Sequence, residues 1–218
     1  FIDTGYSQEE LLKIIEVGNY VVYEEDVLEL GNNRITARAL DNRLGAFIVT
    51  ESIKRAKTKG TKVGVYSATT VGEESTMRGA FWAAETVRPN LAIVVDVTFT
   101  ADYPGKSAHH TGDISLDKGP VLAKGSIISD IANKDLVEIA KKNDISIQWE
   151  VAPGRTGTDG DKIHMSVGGV PVVLVSIPLR YMHSPSEVCS LNDVENVIEL
   201  VSEFLSKIDE KYDLNPFT

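Results

Sequence analysis

The apolar residues of this chain form no long unbroken run. They fall in short β-branched stretches, Leu91–Val95 and Val170–Ile177 the longest, separated by segments in which they recur at helical spacing. Stretches of that length suit buried strands of a sheet covered on both faces, and the spacers suit the helices that cover it. The prediction is an α/β fold, a mixed central sheet with flanking helices. Ser7-Gln8-Glu9-Glu10 has capping-box spacing before Leu11, Leu12, Ile14 and Ile15, with Gly18 as a stop, which predicts a short helix. Val21–Tyr23, Val27–Leu30 and Ile35–Ala39 read as strands, with turn chemistry at Gly31-Asn32-Asn33. A helix is predicted from Arg43 to Lys59, with Leu44, Phe47, Ile48, Ile53 and Ala56 inward, then an alternating strand over Lys62–Thr69. Helix Arg78–Val87 and strand Leu91–Thr98 follow. Thr100–Gly125, rich in Gly, Ser and Asp, predicts loops and edge strands. Helix Asn133–Asn143, strand Ser146–Val151, a short helix over Asp159–Ser166 and the buried strand Val170–Ile177 come next. The last segment sets Leu191, Val194, Val197, Ile198, Val201, Phe204, Leu205 and Ile208 on one helical face.

At 218 residues the chain has room for one large domain or two small ones. Its 22 Lys and Arg against 32 Asp and Glu give a net charge of -10, which argues against nucleic acid or an anionic membrane as partner and favours a cationic ligand. Cys189 is the only cysteine, so neither an intrachain disulfide nor a Cys-rich zinc site can form, and a reducing compartment is expected. The apolar runs fall well short of the ~20 residues a membrane helix needs. The sequence opens with Phe1 in place of the Met of a translated chain, so an upstream portion is expected to be missing.

Four places put chemistry-bearing side chains where loops of an α/β sheet gather function. In Ala39-Leu40-Asp41-Asn42-Arg43 an acid follows a strand, and the plain alternative is a helix cap by Asp41 or Asn42. Glu73 and Glu74 lie between a strand and a helix, and the alternative is a solvated acidic loop favoured by the helix dipole. Asp96 sits among β-branched residues, where a charge costs several kcal/mol unless it is paired or bound to metal. His183 follows the buried strand, and a lone histidine is often structural. Taken together, Asp41, Glu74, Asp96 and His183 would line one rim of one sheet. Hard oxygen donors with an imidazole and no thiolate suit two divalent ions, Zn, Co or Mn. Such a pair, about 3.5–4 Å apart, lowers the pKa of a bridging water toward ~7, and Glu73 is placed to act as general base.

The segments Ala39–Gly45, Thr70–Ala80, Asp96-Val97-Thr98, Asp102–Gly105, Gly157–Gly160 and Arg180–Glu187, in unbroken order from Phe1 to about Leu205, resemble the glutamyl and tetrahedral aminopeptidase family. Members are cytoplasmic metallopeptidases with two metal ions, some labelled endoglucanase. The resemblance implies a zinc-exopeptidase-like fold in which Asp41 bridges the metals, Glu74 and His183 complete one site, Asp96 belongs to the other and Glu73 is the catalytic base. It implies substrate contacts from Gly157, Thr158 and Asp159, and a cis peptide bond after Asp41. Gly72 stands where the family usually has glutamine, and Gly160 where alanine is more frequent. The remaining ligand, a histidine, belongs upstream of Phe1. His109 and His110 are no substitutes, since they fall in the Gly/Ser-rich loop region with no predicted strand end beside them, and His164, inside a short predicted helix, reads as structural. Residues 1–23 resemble the tail of an inserted β-rich dimerisation domain and 24–218 the major part of the catalytic domain.

The expected activity is removal of N-terminal residues from short peptides with a free amino end. The expected assembly is a homo-oligomer, dimers building a tetrahedral dodecamer, with an N-terminal fragment of the same protein as a further partner. Alternatives are a metal-dependent deacylase, an endoglucanase using Glu73 and Glu74, or an inactive truncated chain. The glycosidase reading needs carboxyls ~5–9.5 Å apart across a sugar, whereas one of this pair is better employed on metal.

Overall fold

The computed structural model describes residues 2–24, 26–108 and 112–217. His109 and His110 lie outside the described residues. Two sheets organise the chain. The larger has strand order β3-β6-β4-β5, where β3 is Ala92–Phe99, β4 Val121–Gly125, β5 Gln148–Ala152 and β6 Val172–Leu179. β3 and β6 run parallel in register from Ala92 opposite Val172 to Phe99 opposite Leu179. β4 is antiparallel to β6 and parallel to β5, which makes the sheet mixed as predicted. The smaller sheet joins β1 (Leu28–Leu30), β2 (Arg34–Ala37) and β7 (Glu187–Ser190), all antiparallel.

Three helices cover one face of the larger sheet: α2 (Leu40–Lys59), α4 (Asp130–Lys142) and α6 (Leu191–Lys207). β6 is buried at all eight positions, which is why its sequence reads as a continuous apolar run. α6 buries Val194, Val197, Ile198, Val201, Phe204 and Leu205 as its periodicity requires, each contributing about 1.5–3 kcal/mol. Its outer flank is laced to α2 by Arg55 with Glu195 and by Lys59 with Glu199 and Glu203. The opposite face carries a smaller cluster of Val94, Ala123, Ile128, Val172 and Leu174, with Ile163 of α5 (Gly160–Ile163) against it.

Several expectations fail for want of a partner. The first helix, α1 (Gln8–Leu11), ends after one turn although its capping box forms, because no side chain of residues 2–24 is buried and a single turn has little propagation energy of its own. Val21–Tyr23 is likewise no strand. Lys62–Thr69 runs toward α3 (Arg78–Val87) without entering a ladder; β3 ends its sheet, and a cleft of about 1120 Å³ lined from both segments lies between them. β4 occupies the interior of the sheet, between β6 and β5, where an edge was expected. Phe47 and Leu191, predicted inward, are exposed. Among the described residues, no helix is long and apolar enough to cross a membrane.

Candidate metal centre

β2 ends at Ala37, and the chain turns through Ala39 in the left-handed region into α2. Asp41 and Asn42 depart from helical dihedrals, and the peptide bond between them is cis, as the resemblance implied. Regular helix begins at about Arg43. Asn42 is the cap: its Oδ1 accepts from the Gly45 N–H at 2.7 Å, which leaves the Asp41 side chain free for other work. A Cβ on Gly45 would come within 2.4 Å of that Asn42 oxygen, so the close approach requires glycine.

Asp41 Oδ2 lies 3.0 Å from His183 Nε2, and Glu74 Oε2 lies 3.6 Å from the same nitrogen. Among the described residues, Asp41, Glu74 and His183 form a group whose donor atoms all lie within 4.8 Å of one another. Phe99 meets the His183 ring edge-on at 6.1 Å between centroids. Glu74 comes from a turn in which the Gly72 carbonyl accepts from the N–H groups of Thr76 and Met77. Gly72 adopts φ +75 there, a conformation that favours glycine and accounts for its presence.

Asp96 lies outside that group of three, yet it is joined to it. Asn42 Nδ2 donates to Asp96 Oδ1 at 3.0 Å and to the Val95 carbonyl at 2.9 Å, and Asp96 Oδ1 also accepts from Val97 N. The rim is therefore not that of one sheet. Asp41 follows a strand of the small sheet, Asp96 lies within β3, His183 follows β6, and Glu74 follows a segment that is not a strand. Asp159 accepts from the Thr70 hydroxyl through Oδ2, while its buried Oδ1 has no partner. The neighbouring Gly157 and Thr158 serve their own loop: Gly157 N–H donates to Asp161, and Thr158 N–H to the Thr156 hydroxyl. His164 sits at the end of α5 with its ring near the Gly160 carbonyl.

Crowding of these acids shifts their protonation. Burial, then the charges of Glu74 and Glu187, push Asp41 up to about 6, with His183 pulling partly back. Burial and then Glu74, Asp159 and Asp41 push Glu73 up to about 7. Asp96, the most enclosed, is pushed up to about 8, mainly by burial and against the Val97 N–H bond. Asp159 is raised by burial. Carboxylates held this way lack positive charge, and the orphaned Asp159 oxygen points the same way. A donor set of oxygens with one imidazole fits a hard or borderline divalent cation.

Two acids escaped the sequence reading. Glu187 is 2% exposed, and its two oxygens accept from the backbone N–H of Asp41 and of His183. Glu150 of β5 reaches across the sheet to Thr98 and Ser176, beside Asp96. The sequence carries no signal for Glu150: the alternation of Ile147, Trp149 and Val151 would turn it outward, whereas in the structure Trp149 and Val151 are the exposed residues and Glu150 faces in.

Comparison with known proteins gives a consistent picture. A family model described as M42 glutamyl aminopeptidase matches residues 1–200. A protein of Acetivibrio thermocellus is 36% identical over 207 residues, covering 93% of this chain and 61% of that protein. A lysyl aminopeptidase of Pyrococcus furiosus is 30% identical over 211 residues, covering 95% and 59%. Among solved structures, an aminopeptidase of the archaeon Desulfurococcus kamchatkensis aligns with a TM-score of 0.84 at 34% identity, over 93% of this chain and 57% of that one. The TET1 peptidase of Pyrococcus horikoshii, which can assemble into a tetrahedron or a large octahedral shell, aligns at 0.75 and 28%, over 93% and 59%. The chain thus spans about three fifths of the length of the curated relatives it matches.

Proposed function

The chain belongs to the M42 glutamyl aminopeptidase family, and on that footing we propose that it carries the larger part of a metal-dependent aminopeptidase removing N-terminal residues from short peptides. The observation that carries this reading is the convergence of Asp41, Glu74 and His183 donor atoms. Asp41, Glu74 and His183 would hold one divalent ion, zinc or cobalt with manganese as an alternative, and Asp96 together with Asp41 would hold a second. Bound ions supply Lewis acidity toward the scissile carbonyl and toward water.

The chain's own side chains do the rest. Glu73 is half-buried beside Glu74, facing the cluster, where it takes a proton from water and returns it to the leaving amine. Asp159, which lines the cleft, supplies negative charge toward the substrate's ammonium, which restricts cleavage to the free amino end. Asn42 and Glu187 fix the backbone from which Asp41 reaches the site. Residues 1–23, in which none of the described side chains (2–23) is buried and Val17 and Tyr20 are 98% exposed, are read as the tail of an inserted β-rich dimerisation domain, and 24–218 as the major part of the catalytic domain. That reading carries with it a cytoplasmic protein assembling through dimers into a tetrahedral dodecamer, with an N-terminal fragment of the same protein completing the fold. The assembly of TET1 relatives supports the oligomer.

Hydrolysis of leucine and glutamate anilides, with and without an N-acetyl group, tests the activity. Cleavage of the free-amine substrate that chelation abolishes and added divalent metal restores is expected. Activity that survives the chelator, or a preference for the acetylated substrate, overturns the reading, the second in favour of a deacylase. Cleavage of β-glucan would favour the endoglucanase.

A further inference from the structure

Asp41 and His183 come from segments far apart in sequence, yet their side chains meet at 3.0 Å. Nothing in either local backbone fixes that separation. Asp41 lies in the irregular start of α2, and His183 has φ 63, a left-handed conformation that a non-glycine residue keeps only where its surroundings enforce it. One buried side chain touches both backbones. Glu187 Oε2 accepts from Asp41 N–H at 3.0 Å and Oε1 from His183 N–H at 2.9 Å. Glu187 is itself anchored, as the first residue of β7 paired with Ala37 of β2.

We infer that Glu187 is a positioning residue: its two carboxylate oxygens tie the Asp41 and His183 amides together and thereby set the spacing of the two metal-binding side chains. The oxygens are joined rigidly through one carbon, so two amides bonded to them cannot separate without breaking a charge-assisted hydrogen bond. Glutamine has the same shape but a single acceptor oxygen, and its NH2 would oppose one of the two N–H donors. The inference rests on the metal-site reading above.

The molecule contains its own control. Asp193, at the start of α6, is fully buried and uses the same device, accepting from Asp117 N–H at 2.7 Å and Gly119 N–H at 2.8 Å, but among residues outside the acidic cluster. Glu187→Gln and Asp193→Asn therefore remove equivalent bonds in two different places. Cobalt(II) is titrated into the wild-type chain and each variant, followed by visible absorption, with thermal unfolding in parallel. The expectation is about 10–100-fold weaker cobalt binding and an altered absorption band in Glu187→Gln, and wild-type affinity and spectrum in Asp193→Asn despite a lower melting temperature. Equal cobalt affinity in Glu187→Gln and wild type overturns the inference while leaving the metal site standing; so does an equal loss in both variants. Wild-type protein that binds no cobalt overturns the metal-site reading and the inference together. Should Glu187→Gln fail to fold, amide exchange in the wild type decides: both the Asp41 and His183 N–H groups are expected to be protected, and rapid exchange at either overturns the role.

Discussion

At Asp41 and His183 the acidic cluster rests on paired strands and a shared buried carboxylate, whereas at Glu73 and Asp159 it rests on loops beside an open cleft. Burial is the main cause of raised carboxyls on both sides: it raises Asp41 to about 6, Glu73 to about 7 and Asp96, the most enclosed, to about 8, with neighbouring carboxylates adding to each and His183 offsetting part of the rise at Asp41 and Glu73. On the proposed reading the packed side would supply most of one ligand set, and the open side, a pocket of crowded carboxylates, would receive a second cation and the substrate's ammonium group.

Exchanging Glu73 for glutamine breaks this division most sharply. Turnover of an aminoacyl anilide should fall by a factor on the order of 10³ while metal content is kept, since the role proposed for the side chain is to move protons and not to bind an ion. A rate like that of wild type would remove Glu73 from the chemistry. On the packed side, His183→Ala should weaken the tighter metal by about 100-fold in a cobalt titration. In the unsubstituted chain, the same titration should resolve two affinities at least about tenfold apart, the weaker lost in Asp96→Asn. Two equal affinities would erase the distinction between the sides.

Smaller effects test the scaffold. Gly45→Ala should cost about 1–3 kcal/mol in urea unfolding, because the new methyl displaces the Asn42 side chain that caps α2 and reaches Asp96. Arg180 grips Asp102 with two bonds, at 3.0 and 2.7 Å, just ahead of the His183 loop. Although burial opposes it, this grip and the Leu116 N–H hold the Asp102 carboxyl below its ordinary value. Below that ordinary value the unfolded chain binds the extra proton, so the contribution is full at neutral pH and is lost as pH falls through the folded value. Both groups are partly exposed, so Arg180→Met should remove only about 1 kcal/mol at pH 7 and less at pH 3. An equal loss at both pH values would mean that packing of the arginine stem, and not the ion pair, matters.

Legibility in the sequence tracked the reach of the forces involved. β6 and α6 could be read because burial alone writes their patterns, an unbroken apolar run and a 3.6-residue period. Lys62–Thr69 carries an alternating pattern just as clear, but a strand needs a neighbour, and no pattern within one segment reveals whether a neighbour exists. β7 was hidden for the opposite reason: four residues, Glu187–Ser190, are too few to show a period, and pairing with distant β2 makes them a strand. The same holds at the site. Asp96 stood out as a charge among β-branched residues, and Asp41, Glu74 and His183 as polar groups after predicted strands. Glu187 carries no such signal, since its work is to receive two backbone N–H groups, one of them 146 residues away in sequence.

The unpaired edge of β3 has a bearing on how the protein behaves in concentrated solution. Ala92-Ile93-Val94-Val95-Asp96-Val97-Thr98-Phe99 contains the composition of an aggregation-prone strand, interrupted by one acidic residue. Asp96 is that residue, but it is buried and its carboxyl is pushed up to about 8, so near neutral pH the edge carries little charge to oppose the docking of a second edge. The edge of β3 is therefore expected to favour self-association as protein concentration rises, and less so at a pH high enough to ionise Asp96.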